Sequence, residues 1–188
     1  MKNLKAIALA LVVVLSTVSV SAQTKKVDAA KSSINWLAKK VTGQHSGTVN
    51  LKEGALVFKG AKLAGGNFTV DMTSLTATDL TGEYLEKLNG HLKADDFFGT
   101  EKFPTAKLVF KTVAKKAANV YSVTGDLTIK GITKPITFEL ATTATSATTK
   151  FMVDRTVYDI RYGSKSFFES IGDKAIDNEF ELAVALKF

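Results

Sequence analysis

Most of this sequence alternates between apolar and polar side chains with a period of two residues. Between positions 67 and 72, for example, Phe68, Val70 and Met72 fall on one face and polar residues on the other. Successive side chains of a strand point to opposite faces, so the pattern predicts strands of a sheet with one face in water. We expect such strands at residues 33–41, 47–51, 55–58, 67–72, 105–113, 120–129, 132–142, 148–160 and 179–188.

One central stretch follows a helical spacing instead. Apolar residues between positions 84 and 92 recur at intervals of three and four, which predicts a helix over Gly82–Lys93 with Thr81 as its N-cap. Asn89 and Gly90 are expected to end or kink it, and Pro135 indicates a sheet edge or bulge. About eight short strands are typical of an antiparallel barrel or sandwich, and a central helix favours a barrel with a lid or plug.

The first 22 residues differ from the rest of the chain. Lys2 and Lys5 precede an apolar stretch, Ala6–Val18, and the small residues Ser21 and Ala22 follow. This order is typical of a secretory signal peptide, cleaved after Ala22, so we expect one domain at residues 23–188 and a periplasmic or secreted location. A membrane anchor is the alternative, but a spanning helix needs about 20 apolar residues.

The composition excludes several classes of function. The chain has no cysteine, which excludes a disulfide scaffold, a thiolate zinc site and a cysteine nucleophile. The net charge is +7, but only Arg155 and Arg161 are arginines, and the lysines are spread along the chain. Nucleic-acid surfaces favour arginine and clustered charge, so we expect no nucleic-acid partner and at most peripheral contact with a membrane.

Few residues suggest catalysis. The sequence lacks the His-Glu-x-x-His, phosphate-loop, Gly-x-Ser-x-Gly and dinucleotide-binding motifs. His45 lies between glycines, so it is interpreted either as a polar contact at a cavity mouth or as a histidine bonded to the backbone. His91 lies in the helical segment and could meet His45 around a metal with Asp95 or Asp96, although no metal-ligand spacing is present.

Phenylalanines dominate the aromatic content, with twelve against one tryptophan and four tyrosines. The pairs Phe97-Phe98 and Phe167-Phe168 lie outside the predicted strands. They are expected either to plug one end of a barrel or to line an apolar cavity near its mouth.

Taken together, the motifs resemble the YceI family, described as polyisoprenoid-binding or lipid-binding periplasmic proteins. The resemblance covers nearly all of residues 23–188 in the family's order. It is carried by Trp36, residues 43–47 and 65–72, the segment 91–98 with its continuation 103–106, and residues 123–136. Residues 154–174 depart from the family pattern, and their basic and aromatic side chains are expected to alter the cavity mouth.

The resemblance implies a mainly β fold, an eight-stranded antiparallel lipocalin-like barrel with a short helical insertion between the fourth and fifth strands. It also implies a homodimer and an elongated cavity that holds an isoprenoid or similar amphiphile, with no cofactor beyond that lipid. Combined with the alternation, it predicts ligand contacts at Trp36, His45, Phe68, Val70, Leu85, Leu88, His91, Phe97, Phe98, Phe110, Leu127, Ile129, Phe138, Phe167 and Phe168.

Two other functions stay open at this point. One is a metal- or redox-linked enzyme or accessory protein that uses His45 and His91. The other is a structural or interaction barrel whose interior is filled by side chains, among them Phe97, Phe98, Phe167 and Phe168. The leading hypothesis is a non-enzymatic protein that binds a polyisoprenoid, isoprenoid quinone or fatty-acid-like lipid for transport, storage or stress response.

Overall fold

The computed structural model describes residues 21–169 and 172–188; the predicted signal peptide, except for its last two residues, lies outside them. Within these ranges the chain forms nine strands and one α-helix. In chain order they are β1 Ala22–Lys26, β2 Ser33–Lys40, β3 Gly43–Lys59, β4 Lys62–Ala77, α1 Gly82–Lys93, β5 Thr105–Ala117, β6 Val120–Ile129, β7 Ile132–Thr142, β8 Ser146–Asp154 and β9 Ile176–Lys187. Short 3-10 helices span Ala29–Lys31, Arg155–Tyr158 and Gly172–Lys174.

Eight strands close a barrel, which confirms the predicted fold. Each of β2 to β9 pairs antiparallel with the next strand, and β9 returns to pair with β2. The helix lies between the fourth and fifth strands in chain order. The additional strand β1 pairs with the second half of β3, beyond the stretch of β3 that pairs with β2. Closure leaves the barrel without an open sheet edge over most of its circumference.

Strand β3 is one element where the sequence predicted two separate strands, at residues 47–51 and 55–58. The pairing with β4 shifts between Leu51 and Glu53, which is the mark of a bulge. A Cβ atom at Gly54 would lie 2.4 Å from the ring of Phe68. The glycine therefore makes room for an inward aromatic ring rather than reversing the chain.

The helix has the predicted bounds, Gly82–Lys93, and runs past Asn89 and Gly90. Of the two expectations for these residues, that they end or kink the helix, the first is wrong. The side chain of Asn89 accepts a hydrogen bond from the amide of Ala77 at 2.8 Å and donates to Thr76 Oγ1 at 2.9 Å. It thereby ties α1 to the last residues of β4. Thr81 occupies the N-cap position, but its side chain makes no capping hydrogen bond within the described residues.

The eighth strand ends at Asp154, earlier than the sequence predicted. The carboxylate of Asp154 accepts hydrogen bonds from the amide and hydroxyl of Thr156, at 2.8 and 2.6 Å, and this turns the chain into a 3-10 helix. Residues 155–169 and 172–175, which follow β8, lie at the same end of the barrel as the segment 78–104, and we call this the helix end. No helix in the described ranges is long and apolar enough to cross a membrane.

Candidate functional site

The interior of the barrel contains a cavity of about 150 Å³. Its walls are almost entirely apolar, because the alternating residues of each strand point inward. An empty cavity costs about 24 cal/mol per Å³, so this one would cost about 3–4 kcal/mol if nothing filled it. The strands contribute Ile34, Trp36, Ala38, Val49, Leu51, Phe68, Val70, Met72, Leu75, Ala106, Leu108, Phe110, Leu127, Ile129, Phe138, Leu140, Phe151, Phe180, Leu182, Val184 and Leu186.

A row of phenylalanine rings crosses this interior. The ring centre of Phe110 lies 5.5 Å from that of Phe68 and 5.8 Å from that of Phe138, and Phe138 stacks on Phe151 at 4.8 Å. These spacings fall within the range of favourable aromatic pairs. The row gives part of the cavity a rigid aromatic wall.

The strand pairing of the barrel is sparsest between β7 and β8. In the described part of the chain, only Ala141 with Thr148 and Thr142 with Ala147 form ladder pairs between these strands. Beyond them the hydroxyl of Thr149 donates to the carbonyl oxygen of Glu139 at 2.6 Å. Side chains thus close the wall where the strands diverge. Pro135, which lacks an amide hydrogen, lies on this unpaired edge of β7, in keeping with its prediction.

A buried arginine lines the cavity at the helix end. Arg155 is 2% exposed and donates to the carbonyl oxygens of Ile160, Asp177 and Ile176 at 2.8, 3.0 and 3.1 Å. Its Cζ atom lies 5.7 Å from the ring centre of Phe97. Burial lowers the pKa of Arg155, and nearby carboxylates act in the opposite direction. An arginine stays charged even so, and a cation therefore lies beside a cavity whose lining is otherwise almost entirely apolar.

The structure brings nine of the fifteen predicted contact residues to the cavity wall. Their common feature is an inward position on a strand, or a place in the turn after α1. They are Trp36, Phe68, Val70, Phe97, Phe98, Phe110, Leu127, Ile129 and Phe138. Their contact with a ligand stays a prediction.

Four apolar residues of the predicted set lie away from the cavity. Leu85 and Leu88 pack against the core without lining the cavity, and Leu92 lines it instead. Only the C-terminal turn of α1 therefore reaches the cavity. Phe167 and Phe168 are 45% and 48% exposed, so they neither plug the barrel nor line it.

His45 lies at the rim of the barrel but does not line the cavity. His45 is paired with Ala38 across β2 and β3. Because Ala38 lines the cavity, the side chain of His45 leaves the same, inward face of the sheet. Its Nδ1 atom lies 2.9 Å from Asp79 Oδ2, and Asp79 also accepts from the amide of Ser46. Burial acts to raise the pKa of Asp79, but these hydrogen bonds outweigh it and hold the pKa below its usual range. The pair joins β3 to the loop before α1.

His91 also lies outside the cavity wall. Its ring packs edge-on against Phe97 at 5.4 Å and Tyr162 at 4.3 Å between centroids. Nε2 is 3.7 Å from Asp96 Oδ2, too long for a hydrogen bond, and has no hydrogen-bond partner in the described part of the chain. The residue joins α1 to Tyr162, in the connection that follows β8.

The hypothetical metal site is not assembled. Asp79 holds His45, whereas Asp95 pairs with Lys102. Among residues 21–169 and 172–188, no group of three or more histidine, aspartate or glutamate side chains is placed to hold a metal ion.

Several lining residues were missed by the sequence reasoning. Phe180, Leu182, Val184 and Leu186 alternate along β9, and that period was visible in the sequence. Arg155 gave no such signal, because a lone arginine after a strand is normally exposed.

Comparison with known proteins gives a match over almost all of the described chain. The family model described as "YceI-like domain" matches residues 26–188. A UPF0312 protein of Shewanella denitrificans is 35% identical over 96 residues, which cover 51% of this chain and 48% of that protein. In such alignments the chain spans about half the length of the curated relatives it matches.

Solved structures share the fold. Burkholderia cenocepacia BcnA superposes with a TM-score of 0.64 at 23% identity, covering 86% of this chain and 99% of that one. A structure described as a polyisoprenoid binding domain from Saccharophagus degradans, implicated in plant cell wall breakdown, gives a TM-score of 0.58 at 16% identity. The superposition covers 86% of this chain and 95% of the Saccharophagus degradans chain.

Proposed function

Since this chain belongs to the YceI-like domain family, we propose that it is an exported, non-enzymatic protein that encloses the hydrocarbon chain of an amphiphile. The observation that carries the proposal is the apolar cavity of about 150 Å³ inside the closed barrel. Water gains little from entering such a cavity, because a buried water needs two to four polar partners. An alkyl or prenyl chain needs none.

Burial of the hydrocarbon chain drives binding. Burying a methylene group is worth about 0.8 kcal/mol, and a cavity of about 150 Å³ holds about six carbon atoms, so the apolar interior supplies about 5 kcal/mol before the costs of association. Eight strands leave an interior just wide enough for one small ligand. The protein therefore binds one chain at a time and releases it without a chemical step.

The ligand class is a polyisoprenoid, an isoprenoid quinone or a fatty-acid-like lipid. The Saccharophagus degradans neighbour, a polyisoprenoid binding domain, supports the first of these. The aromatic row formed by Phe68, Phe110, Phe138 and Phe151 supports any of them, since rings pack against both methyl branches and methylene groups. Export is supported by the signal-like composition of residues 1–22. In that compartment the protein serves in transport, storage or stress response.

Trp36 offers a direct test. It is the chain's only tryptophan and it lines the cavity. A dibrominated stearate quenches tryptophan on close contact, so adding it to lipid-free protein should quench Trp36 with saturation at one ligand per barrel. Unbrominated stearate should compete and restore the signal.

A matched variant separates the cavity from the surface. Val70 lines the cavity and Val109, on the neighbouring strand, is 45% exposed. Val70→Phe should abolish quenching, whereas Val109→Phe should leave it unchanged. Quenching that is absent in the wild type, or that survives Val70→Phe, would contradict the proposal.

A further inference from the structure

We propose that Arg155 receives the polar head group of the bound amphiphile, and that the protein prefers ligands with an anionic oxygen head, a carboxylate or a phosphate. The inference rests on the proposed function, because it concerns the orientation and head-group chemistry of the ligand in the same cavity. The inference adds a polar subsite to the proposed function and assigns that subsite to one residue.

The position of Arg155 distinguishes it from the other charged residues at the cavity. The charged residues along its lining in the described chain are Lys107, Arg155 and Asp177. Lys107 and Asp177 are exposed to solvent, whereas Arg155 is 2% exposed. Arg155 is thus the residue that places a full charge inside the barrel.

The hydrogen bonds of Arg155 leave capacity for a ligand. A guanidinium carries five N–H groups. Three of them donate to the carbonyl oxygens of Ile160, Ile176 and Asp177. Two further N–H groups, one on each Nη atom, have no acceptor among the described residues and are available to a ligand.

The acceptors on the protein are neutral, and this favours an anion. Within residues 21–169 and 172–188, Arg155 forms no ion pair. The adjacent carboxylate of Asp154 is engaged by the amide and hydroxyl of Thr156. Asp154 and Asp177 favour the charged form of Arg155 without forming an ion pair with it. A carboxylate or phosphate head would therefore be bound with a charge-assisted, bidentate geometry.

The arrangement also sets the orientation of the ligand. Arg155 follows β8 directly and packs on Phe97 at the helix end, and both line the cavity. The three carbonyl bonds fix its side chain before a ligand arrives. The head group therefore lies at the helix end, and the hydrocarbon chain extends between the strands toward the opposite end.

The first experiment needs no variant. Lipid-free protein is titrated at pH 8 with hexadecanoate, hexadecyl phosphate, methyl hexadecanoate and hexadecylamine, with Trp36 emission as the readout. We expect the two anions to bind at least tenfold more tightly than the ester, with the amine weakest. Equal affinities would overturn the inference and leave the proposed function standing, whereas binding of none of the four would contradict both.

The second experiment locates the head group. Arg155 and Arg161 are the chain's only arginines, so arginine labelled with nitrogen-15 gives two Nε signals. Arg161 is exposed and pairs with Asp159, which makes it the internal control, and Arg161→Lys assigns the signals. Hexadecanoate should shift the Arg155 signal and not the Arg161 signal. An Arg155 signal that is unchanged at saturation would overturn the inference.

A variant then separates head-group binding from the structural role of Arg155. Arg155→Lys keeps the charge and loses the planar fork, while Arg155→Met removes both. If either variant folds, as judged by its thermal transition, the preference for hexadecanoate over its methyl ester should shrink in Arg155→Lys and disappear in Arg155→Met. A preference that persists in Arg155→Met would overturn the proposal, and the labelled wild type decides the question if neither variant folds.

Discussion

Filling the cavity should stabilise the lipid-free protein and weaken ligand binding at the same time. Ala106 is 6% exposed, lines the cavity and pairs with Val70 across β4 and β5. Ala106→Leu adds three carbon atoms to a space that is otherwise empty. At about 0.8 kcal/mol for each buried group the upper limit is about 2.4 kcal/mol.

Restricted rotamers reduce this gain. Allowing for them, we expect the free energy of unfolding to rise by about 1–2 kcal/mol. For a chain of this size that corresponds to an increase in Tm of about 5 °C. The same atoms occupy ligand space, so the affinity for hexadecanoate should fall at least tenfold, which is about 1.4 kcal/mol.

Urea unfolding followed by Trp36 emission measures the first quantity, and titration with hexadecanoate measures the second. Ala114→Leu is the matched control, because Ala114 lies on the same strand and is exposed. It should change stability by less than about 0.5 kcal/mol and leave binding unchanged. If Ala106→Leu lowers stability by more than about 1 kcal/mol while binding is retained, the reasoning from the cavity is refuted.

Three further predictions concern the framework around the cavity. Asp79→Asn weakens the contact with His45 and should cost about 1 kcal/mol at pH 7. Because the pKa of Asp79 is lowered in the folded state, this contribution is present above pH about 4 and is lost as the pH falls through the lowered pKa. Urea unfolding of the wild type and the variant at pH 7 and pH 3 should show the loss. Burial, aided by a nearby carboxylate, raises the pKa of Tyr158 to about 12. The contribution of Tyr158 to stability should therefore be complete below pH about 10 and decline as the pH rises toward 12. In alkaline unfolding experiments, the Tyr158→Phe variant should lack that decline. A Cβ atom at Gly90, within α1, would meet open space, so Gly90→Ala should raise Tm by a few degrees. A Cβ atom at Gly47 would instead lie 2.0 Å from a backbone oxygen. Gly47→Ala should therefore lower Tm strongly, and similar melting curves for both variants would contradict the packing described here.

The fold could be predicted because its signals are local and repeated. β6 and β7 begin and end at the predicted residues, since regular alternation continues up to a tight turn at Lys130 and Gly131. The boundaries of β3 could not be predicted in the same way. Its bulge depends on a partner strand and on the ring of Phe68, neither of which leaves a mark in the local pattern.

The cavity could be predicted in part, for a related physical reason. Inward residues such as Trp36 and Phe138 follow from the alternation. Residues in irregular segments do not, because there the direction of a side chain is set by tertiary contacts. Phe97 and Phe167 lie in similar sequence surroundings, yet one is buried at the cavity and the other is exposed. Arg155 is inward because backbone carbonyl groups from distant segments meet around it.

Native mass spectrometry of the protein purified gently from its own host shows directly whether the barrel holds an anionic amphiphile. We expect a population that carries one amphiphile per barrel, with a prenyl or acyl chain and a carboxylate or phosphate head, released by organic extraction. Protein that carries no such molecule, and that after extraction binds neither hexadecanoate nor a prenyl phosphate, would contradict that expectation.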